Sequence, residues 1–228
     1  MGEEIVHDSL PIVLVGGGKV KKALLKAAIV HGSKIVAADG AARVVLENGF
    51  VPEAVIGDFD SISEATRAVV PEERCHVFDD QDTTDFEKCL SLIEAPLIIG
   101  VGFLGGRVDH QLAVLHGLIR FAARPCLLLG KRDLVFLCPP DLRLDLPVGS
   151  RFSLFPMTDI RARSDGLRWA LDGISFAPGE RIGTSNEVCG PVRVEVDRPG
   201  MIVILPAGRF ATVVRALADP QAPRWTFQ

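Results

Sequence analysis

The chain has no basic run, no closely paired cysteines, no apolar stretch approaching a membrane span, and no internal repeat or low-complexity tract. Each absence removes a class of protein. A nucleic-acid-binding surface clusters Lys and Arg to displace counterions from phosphates. Here 25 basic residues are scattered among 29 acidic ones, for a net charge of −4. Spanning a bilayer takes roughly 20 consecutive apolar residues, which this sequence nowhere supplies. The first residues include Glu3 and Glu4, where a targeting leader would carry basic residues. A cytoplasmic protein is the expectation. The five cysteines (Cys75, Cys89, Cys126, Cys138, Cys189) are odd in number and lack the two-residue spacing of zinc or redox pairs. Buried, reduced thiols are expected.

What is present is material for a packed core. With 228 residues, 48% hydrophobic and 24% charged, disorder is excluded and two modest domains are expected. From Leu10 to about Cys138, short apolar runs alternate with helix-like stretches. The runs are LPIVLV (10–15), KIVAA (34–38), EAVIG (53–57), CHVF (75–78), PLIIGV (96–101) and PCLLLG (125–130). Helical spacing occupies residues 20–30, 41–48, 84–93 and 108–122. Continuous apolar strands separated by helices predict a parallel sheet covered on both faces. After Cys138 the texture changes to RFSLF, VRVEV and MIVILP, punctuated by Pro, Gly and Asp, with helical spacing nearly absent. The expected fold is therefore an N-terminal parallel-sheet α/β domain (1–140) followed by a C-terminal antiparallel β-sandwich domain (141–228).

Acidic residues fall where the predicted strands end. Asp39 follows KIVAA, Asp58 and Asp60 follow EAVIG, Asp79, Asp80 and Asp82 follow CHVF, and Asp85 opens a helix. The carboxyl ends of parallel strands face the ligand crevice of an open α/β sheet, so these acids can converge. Converging carboxylates repel, and a hard divalent cation relieves the repulsion. Magnesium takes a few carboxylates together with water and substrate phosphates, which points to a phosphorylated substrate. Lys88, one helical turn beyond Asp85, and Arg107, beside Asp109, suit phosphate contacts. Individually, an Asp at a helix start is commonly a cap, and Asp82 or Thr83 fits that role. The GGGK string at 16–19 satisfies neither known glycine loop. Lys19 is followed by Val20 rather than Ser or Thr, and Lys21 stands where the dinucleotide fingerprint needs glycine.

Taken together, ADG (38–40), GDFDS (57–61), DQDTTDFEKCL (80–90) and GGRVDHQLA (105–113) resemble the ordered motifs of thiamine pyrophosphokinases. GLRWAL (166–171) and GTSNEV (183–188) are similar to that family's C-terminal signatures. The resemblance spans about 150 residues in order, departing at Ala41 and Gly183. It implies an α/β domain holding ATP and Mg2+, a β-sandwich, and a homodimer whose interface shapes the thiamine pocket. Carried over by position, Asp58, Asp60 and Asp85 are the expected metal acids, with Asp39 and Asp109 near the reacting groups. Gln81, Thr84, Lys88 and Arg107 are expected at phosphate or nucleotide. Ser185 and Asn186 are expected at the thiamine pyrimidine, and Trp169 at its cationic ring system. The implied reaction is in-line attack of the thiamine hydroxyl on the β-phosphorus of ATP, with AMP leaving and Asp39 the favoured group to orient the hydroxyl. Two rivals stand beside it: a catalytically silent thiamine or nucleotide sensor, and a nicotinamide-dependent oxidoreductase suggested by Asp39 at the distance of a ribose-binding acid.

Overall fold

A computed structural model describes residues 4–60, 63–78, 80 and 82–226. The chain divides into two compact units, the first comprising Met1–Gly117 and Leu128–Lys131, the second Leu118–Leu127 and Arg132–Gln228. In chain order the first contains β1 (Val6–His7), β2 (Ile12–Val15), α1 (Lys22–Ile29), β3 (Lys34–Ala38), α2 (Ala42–Glu47), β4 (Ala54–Gly57), α3 (Glu64–Arg67), β5 (Cys75–Val77), α4 (Asp85–Leu92), β6 (Ile93–Glu94) and β7 (Ile98–Val101). Next come α5 (Val108–Arg120) and β8 (Cys126–Leu129), each with residues in both units.

Strands of the first unit pair in the order β7-β2-β3-β4-β5, every pair parallel. The cause is visible in the side chains. All four residues of β2 are fully buried, as are all or nearly all of β4 and β7, so both faces of each strand need cover. Helices supply it through stripes such as Leu25 and Ala28 on α1 and Phe86, Cys89 and Leu90 on α4. Burying each such Leu or Phe contributes roughly 2 kcal/mol. Because β2 is followed outward by β3, β4 and β5 while β7 returns to its other side, the strand order reverses between β2 and β7. That reversal opens a crevice at the carboxyl ends.

The second unit contains β9 (Asp133–Leu137), β10 (Asp141–Leu144), β11 (Arg151–Pro156), β12 (Ile160–Leu167), β13 (Ser175–Phe176), β14 (Gly183–Val196), β15 (Met201–Pro206) and α6 (Phe210–Ala218). Its strands run antiparallel in the order β9-β15-β11-β14-β12-β13, with β10 also on β14. The fold is thus mixed α/β. Helix α6 departs from the expectation of a nearly helix-free second half. Its Phe210, Val213, Val214 and Leu217 are buried at helical spacing, so the period was present in a segment rich in β-branched residues. The thiols also depart in part: Cys89, Cys126 and Cys138 are buried, but Cys75 is half-buried and Cys189 exposed.

Candidate active site

Two strand ends of the first unit supply three acids. Asp39 follows β3 as the first residue of a single 3-10 turn, and Asp58 and Asp60 follow β4. Carboxylate oxygens of Asp39, Asp58 and Asp60 lie within 4.8 Å of one another, with Asp39 buried, Asp58 half-buried and Asp60 exposed. Two of the backbone conformations here are unusual for non-glycine residues. Asp39 has φ 45° and Phe59 has φ 65°, each costing on the order of 1 kcal/mol or more. They are tied together, since the Phe59 N–H donates to Asp39 Oδ1 at 3.1 Å. A second bond, from Asp60 N–H to Asp58 Oδ1 at 3.2 Å, folds the loop so that both acids return toward Asp39.

Gly57 closes β4 directly beneath this turn. A Cβ there would sit 2.6 Å from the Asp39 Cβ and 3.1 Å from its Cα, a clash relieved only by moving the carboxylate. Gly57→Ala is expected to lower kcat by roughly 10- to 100-fold, because sub-ångström misplacement is costly in a positioned site. The check is steady-state kinetics beside a far-UV CD spectrum. Activity within twofold of wild type, with the fold intact, would show that the close approach is dispensable.

Asp85 opens α4 next to this cluster. Its carboxyl is pushed above the usual carboxylate range, first by burial and further by the charges of Asp39 and Asp58, against the opposing pull of Lys88. Lys88 Nζ stands 3.6 Å from Asp85 Oδ1, with only 6% of the lysine side chain exposed. The helix start is built to hold this pair. Thr84 accepts from the Glu87 N–H while Glu87 Oε2 accepts from the Thr84 N–H, a reciprocal cap that satisfies two otherwise orphaned donors. Thr84, expected at the nucleotide, thus spends its side chain on the cap, and it rather than Asp82 or Thr83 is the capping residue. Thr83 instead donates to Asp80 at 2.7 Å. Gln81 lies outside the described residues.

Arg107 and Asp109, at the start of α5, form a bidentate pair at 3.1 and 2.6 Å. The hydrogen bond from Arg107 holds the Asp109 carboxyl down at about 2. Both side chains are exposed. The GGGK loop, set aside from sequence, lies at the strand-order reversal: Gly16 N–H donates to Val101 O at 2.8 Å and Gly18 N–H to Gly102 O at 3.0 Å. Gly102 has φ 85°, and a Cβ there would meet the Gly16 carbonyl oxygen at 2.6 Å. The signal missed was the pairing of GGG after one strand with a glycine after another, which no single-motif template contains.

In the second unit, Trp169, Ser185 and Asn186 fall together around one irregularity of β14. Opposite β11 the register runs Phe152↔Asn186 and then Leu154↔Gly183, so β14 carries an extra residue, and Ser185 there has φ 63°. A bulge of this kind re-aims neighbouring side chains. Asn186 is buried. Its Oδ1 accepts from the N–H groups of Trp169 (3.1 Å) and Glu187 (2.9 Å), and its Nδ2 donates to Trp169 O at 2.7 Å. Trp169 itself is 55% exposed, with the Arg168 guanidinium 5.1 Å from its ring centroid.

The carboxylate cluster thus stands at the carboxyl ends of a parallel sheet, the edge at which open α/β sheets bind their ligands. Residues 25–128 match the family described as thiamin pyrophosphokinase, catalytic domain, and residues 141–201 the thiamin pyrophosphokinase, vitamin B1 binding domain. Thiamin pyrophosphokinase 1 of Caenorhabditis elegans is 32% identical over 173 residues, covering 67% of this chain and 70% of that protein. Thiamine pyrophosphokinase 1 of rice is 34% identical over 158 residues, covering 61% of this chain and 60% of its own length. The solved thiamin pyrophosphokinase from Candida albicans superposes with a TM-score of 0.73 at 16% identity, over 90% of this chain and 93% of that one. This chain belongs to the thiamine pyrophosphokinase family.

Proposed function

We propose that the protein transfers the diphosphoryl group of ATP to the hydroxyethyl oxygen of thiamine, giving thiamine diphosphate and AMP. The observation that carries this reading is the Asp39, Asp58 and Asp60 cluster at the strand ends of a chain matching both family domains. In this reading residues 1–140 handle ATP and metal, and residues 141–228 form an antiparallel sandwich that recognises thiamine, within a homodimer. The donor set fits Mg2+, since it consists of carboxylates with no His or Cys among them. When bound, Mg2+ supplies charge neutralisation at the polyphosphate. Asp58 and Asp60, with Asp85 beside them, would hold it.

The chain's own residues divide the remaining work. Lys88, kept nearly dry beside Asp85, offers a fixed positive charge to the phosphates, and Arg107 does so by exchanging its Asp109 partner for phosphate oxygens. Asp39, buried and oriented by the Phe59 N–H, retains one oxygen to orient the thiamine hydroxyl. Gln81 and Thr84 complete the nucleotide side, Thr84 through the cap that aims α4. Trp169 presents its ring face to the cationic thiamine, with Ser185 beside it and Asn186 as its anchor. All five cysteines are free, as is usual in a reducing compartment, and we assign the reaction to the cytoplasm. No helix among the described residues is long and apolar enough to cross a membrane.

Product masses after incubation with ATP, Mg2+ and thiamine test the proposal. Thiamine diphosphate with AMP is the expected result. Thiamine monophosphate with ADP would assign a different transfer, and thiamine binding without nucleotide turnover would make the protein a sensor.

A further inference from the structure

We propose that Arg67 is a positioning residue for the carboxylate cluster, acting through Phe59. The loop between β4 and α3 must deliver Asp58 and Asp60 to Asp39, and Phe59 between them adopts φ 65°, a region that bulky side chains avoid. Something must hold it there. The bond from its N–H to Asp39 fixes one side of the residue. Arg67, the last residue of α3, fixes the other: its Nη2 donates to the Phe59 carbonyl at 3.1 Å, and its guanidinium lies 5.7 Å from the centroid of the Phe59 ring, which is itself buried.

The guanidinium makes both contacts at once, donating through Nη2 to the carbonyl while its centre lies over the ring. Helix α3 is only four residues long, and its placement is secured by Ser63, whose hydroxyl accepts from the Thr66 N–H. Thr66 is buried, so the short helix is anchored one residue before Arg67. The chain of contacts therefore runs from a capped helix through Arg67 to the carbonyl and ring of Phe59, and through the Phe59 N–H to Asp39. Arg67 touches no carboxylate of the cluster by any of these contacts. Its effect is on where those carboxylates stand, and outer partners of this kind commonly change metal affinity by 10- to 100-fold.

The inference rests on the proposed metal-binding role of Asp58 and Asp60, the two acids that flank Phe59, and the experiment separates the two proposals. Mn2+ is titrated into the full-length protein by electron paramagnetic resonance, with and without the non-cleavable analogue α,β-methylene-ATP, for wild type, Arg67→Ala, Arg67→Lys and Asp58→Asn. Arg67→Ala should weaken Mn2+ roughly tenfold and raise the Mg2+ concentration for half-maximal activity in parallel. Its kcat at saturating Mg2+ should stay within about twofold, since the ligands remain. Arg67→Lys keeps the charge without the planar fork and should recover only part of the affinity. Arg67→Ala binding Mn2+ like wild type would overturn the positioning role while leaving the metal site standing. A melting transition lost together with Mn2+ affinity in both Arg67 variants would reduce Arg67 to a structural residue. Wild type that binds no Mn2+ in either condition would remove the metal reading itself.

Discussion

Asp58→Asn and Asp85→Asn should each lower kcat by roughly 100-fold or more, because in the proposed site each acid supplies charge that would hold the metal against the phosphates. Their stabilities should separate them from damaged proteins. The Asp85 carboxyl titrates above its ordinary value of 3.8 because burial and the neighbouring Asp39 and Asp58 charges penalise its ionised form. A folded-state value raised above the unfolded one means that protonation favours folding. The corresponding stability is present below 3.8 and is lost as pH rises through the higher folded value. Near neutrality in the absence of metal, Asp85 is therefore a stability cost, and Asp85→Asn should melt no lower than wild type while losing activity. The advantage should shrink toward pH 4 and also when Mg2+ is added to the wild type. Melting curves at two pH values, with and without Mg2+, provide the check. A large drop in Tm for Asp85→Asn at neutral pH would make Asp85 a structural residue instead.

Trp169→Ala and Asn186→Ala should impair thiamine use equally and stability unequally. If the exposed ring faces the thiamine cation as proposed, its loss should raise KM for thiamine roughly tenfold, the equivalent of about 1.4 kcal/mol. Because Trp169 is more than half exposed, its removal should leave stability within about 0.5 kcal/mol. Asn186→Ala strands the N–H of Trp169, the N–H of Glu187 and the carbonyl of Trp169. It should cost about 2–4 kcal/mol and also raise KM, since the ring loses its anchor. Asn186→Asp retains the acceptor but buries a carboxylate with one oxygen against Trp169 O, so at neutral pH it should cost at least as much as Asn186→Ala. Thiamine KM and urea midpoints decide the matter. An unchanged KM in Trp169→Ala would remove the ring from the substrate site.

Much of this was legible along the chain because period and punctuation are local. Strands β2, β3, β4, β5, β7 and β8 fall within the apolar runs read from sequence, and α1, α2, α4 and α5 within the helical stretches. Strand ends could be recognised, so Asp39, Asp58 and Asp60 could be expected on one rim of the sheet. Helix α6 was overlooked although Phe210, Val213, Val214 and Leu217 repeat correctly, because Thr212, Val213 and Val214 pull a propensity reading toward strand. The antiparallel pattern likewise began earlier than its texture suggested, with β9 at Asp133.

Sequence by itself determined which carboxylates end which strands, the alternating order of the first half, the antiparallel habit of the second and the family to which the chain belongs. Those properties depend on residue type, spacing and order alone. Only the tertiary structure decided that Asp39 joins Asp58 and Asp60 in one trio, and that Asn186 grips the backbone of Trp169 seventeen residues away. Each of these is a choice of hydrogen-bond partner or backbone conformation made across gaps in the chain. A strained Phe59 or a bulged Ser185 leaves no periodic trace, because its conformation is imposed by the neighbours that folding brings to it.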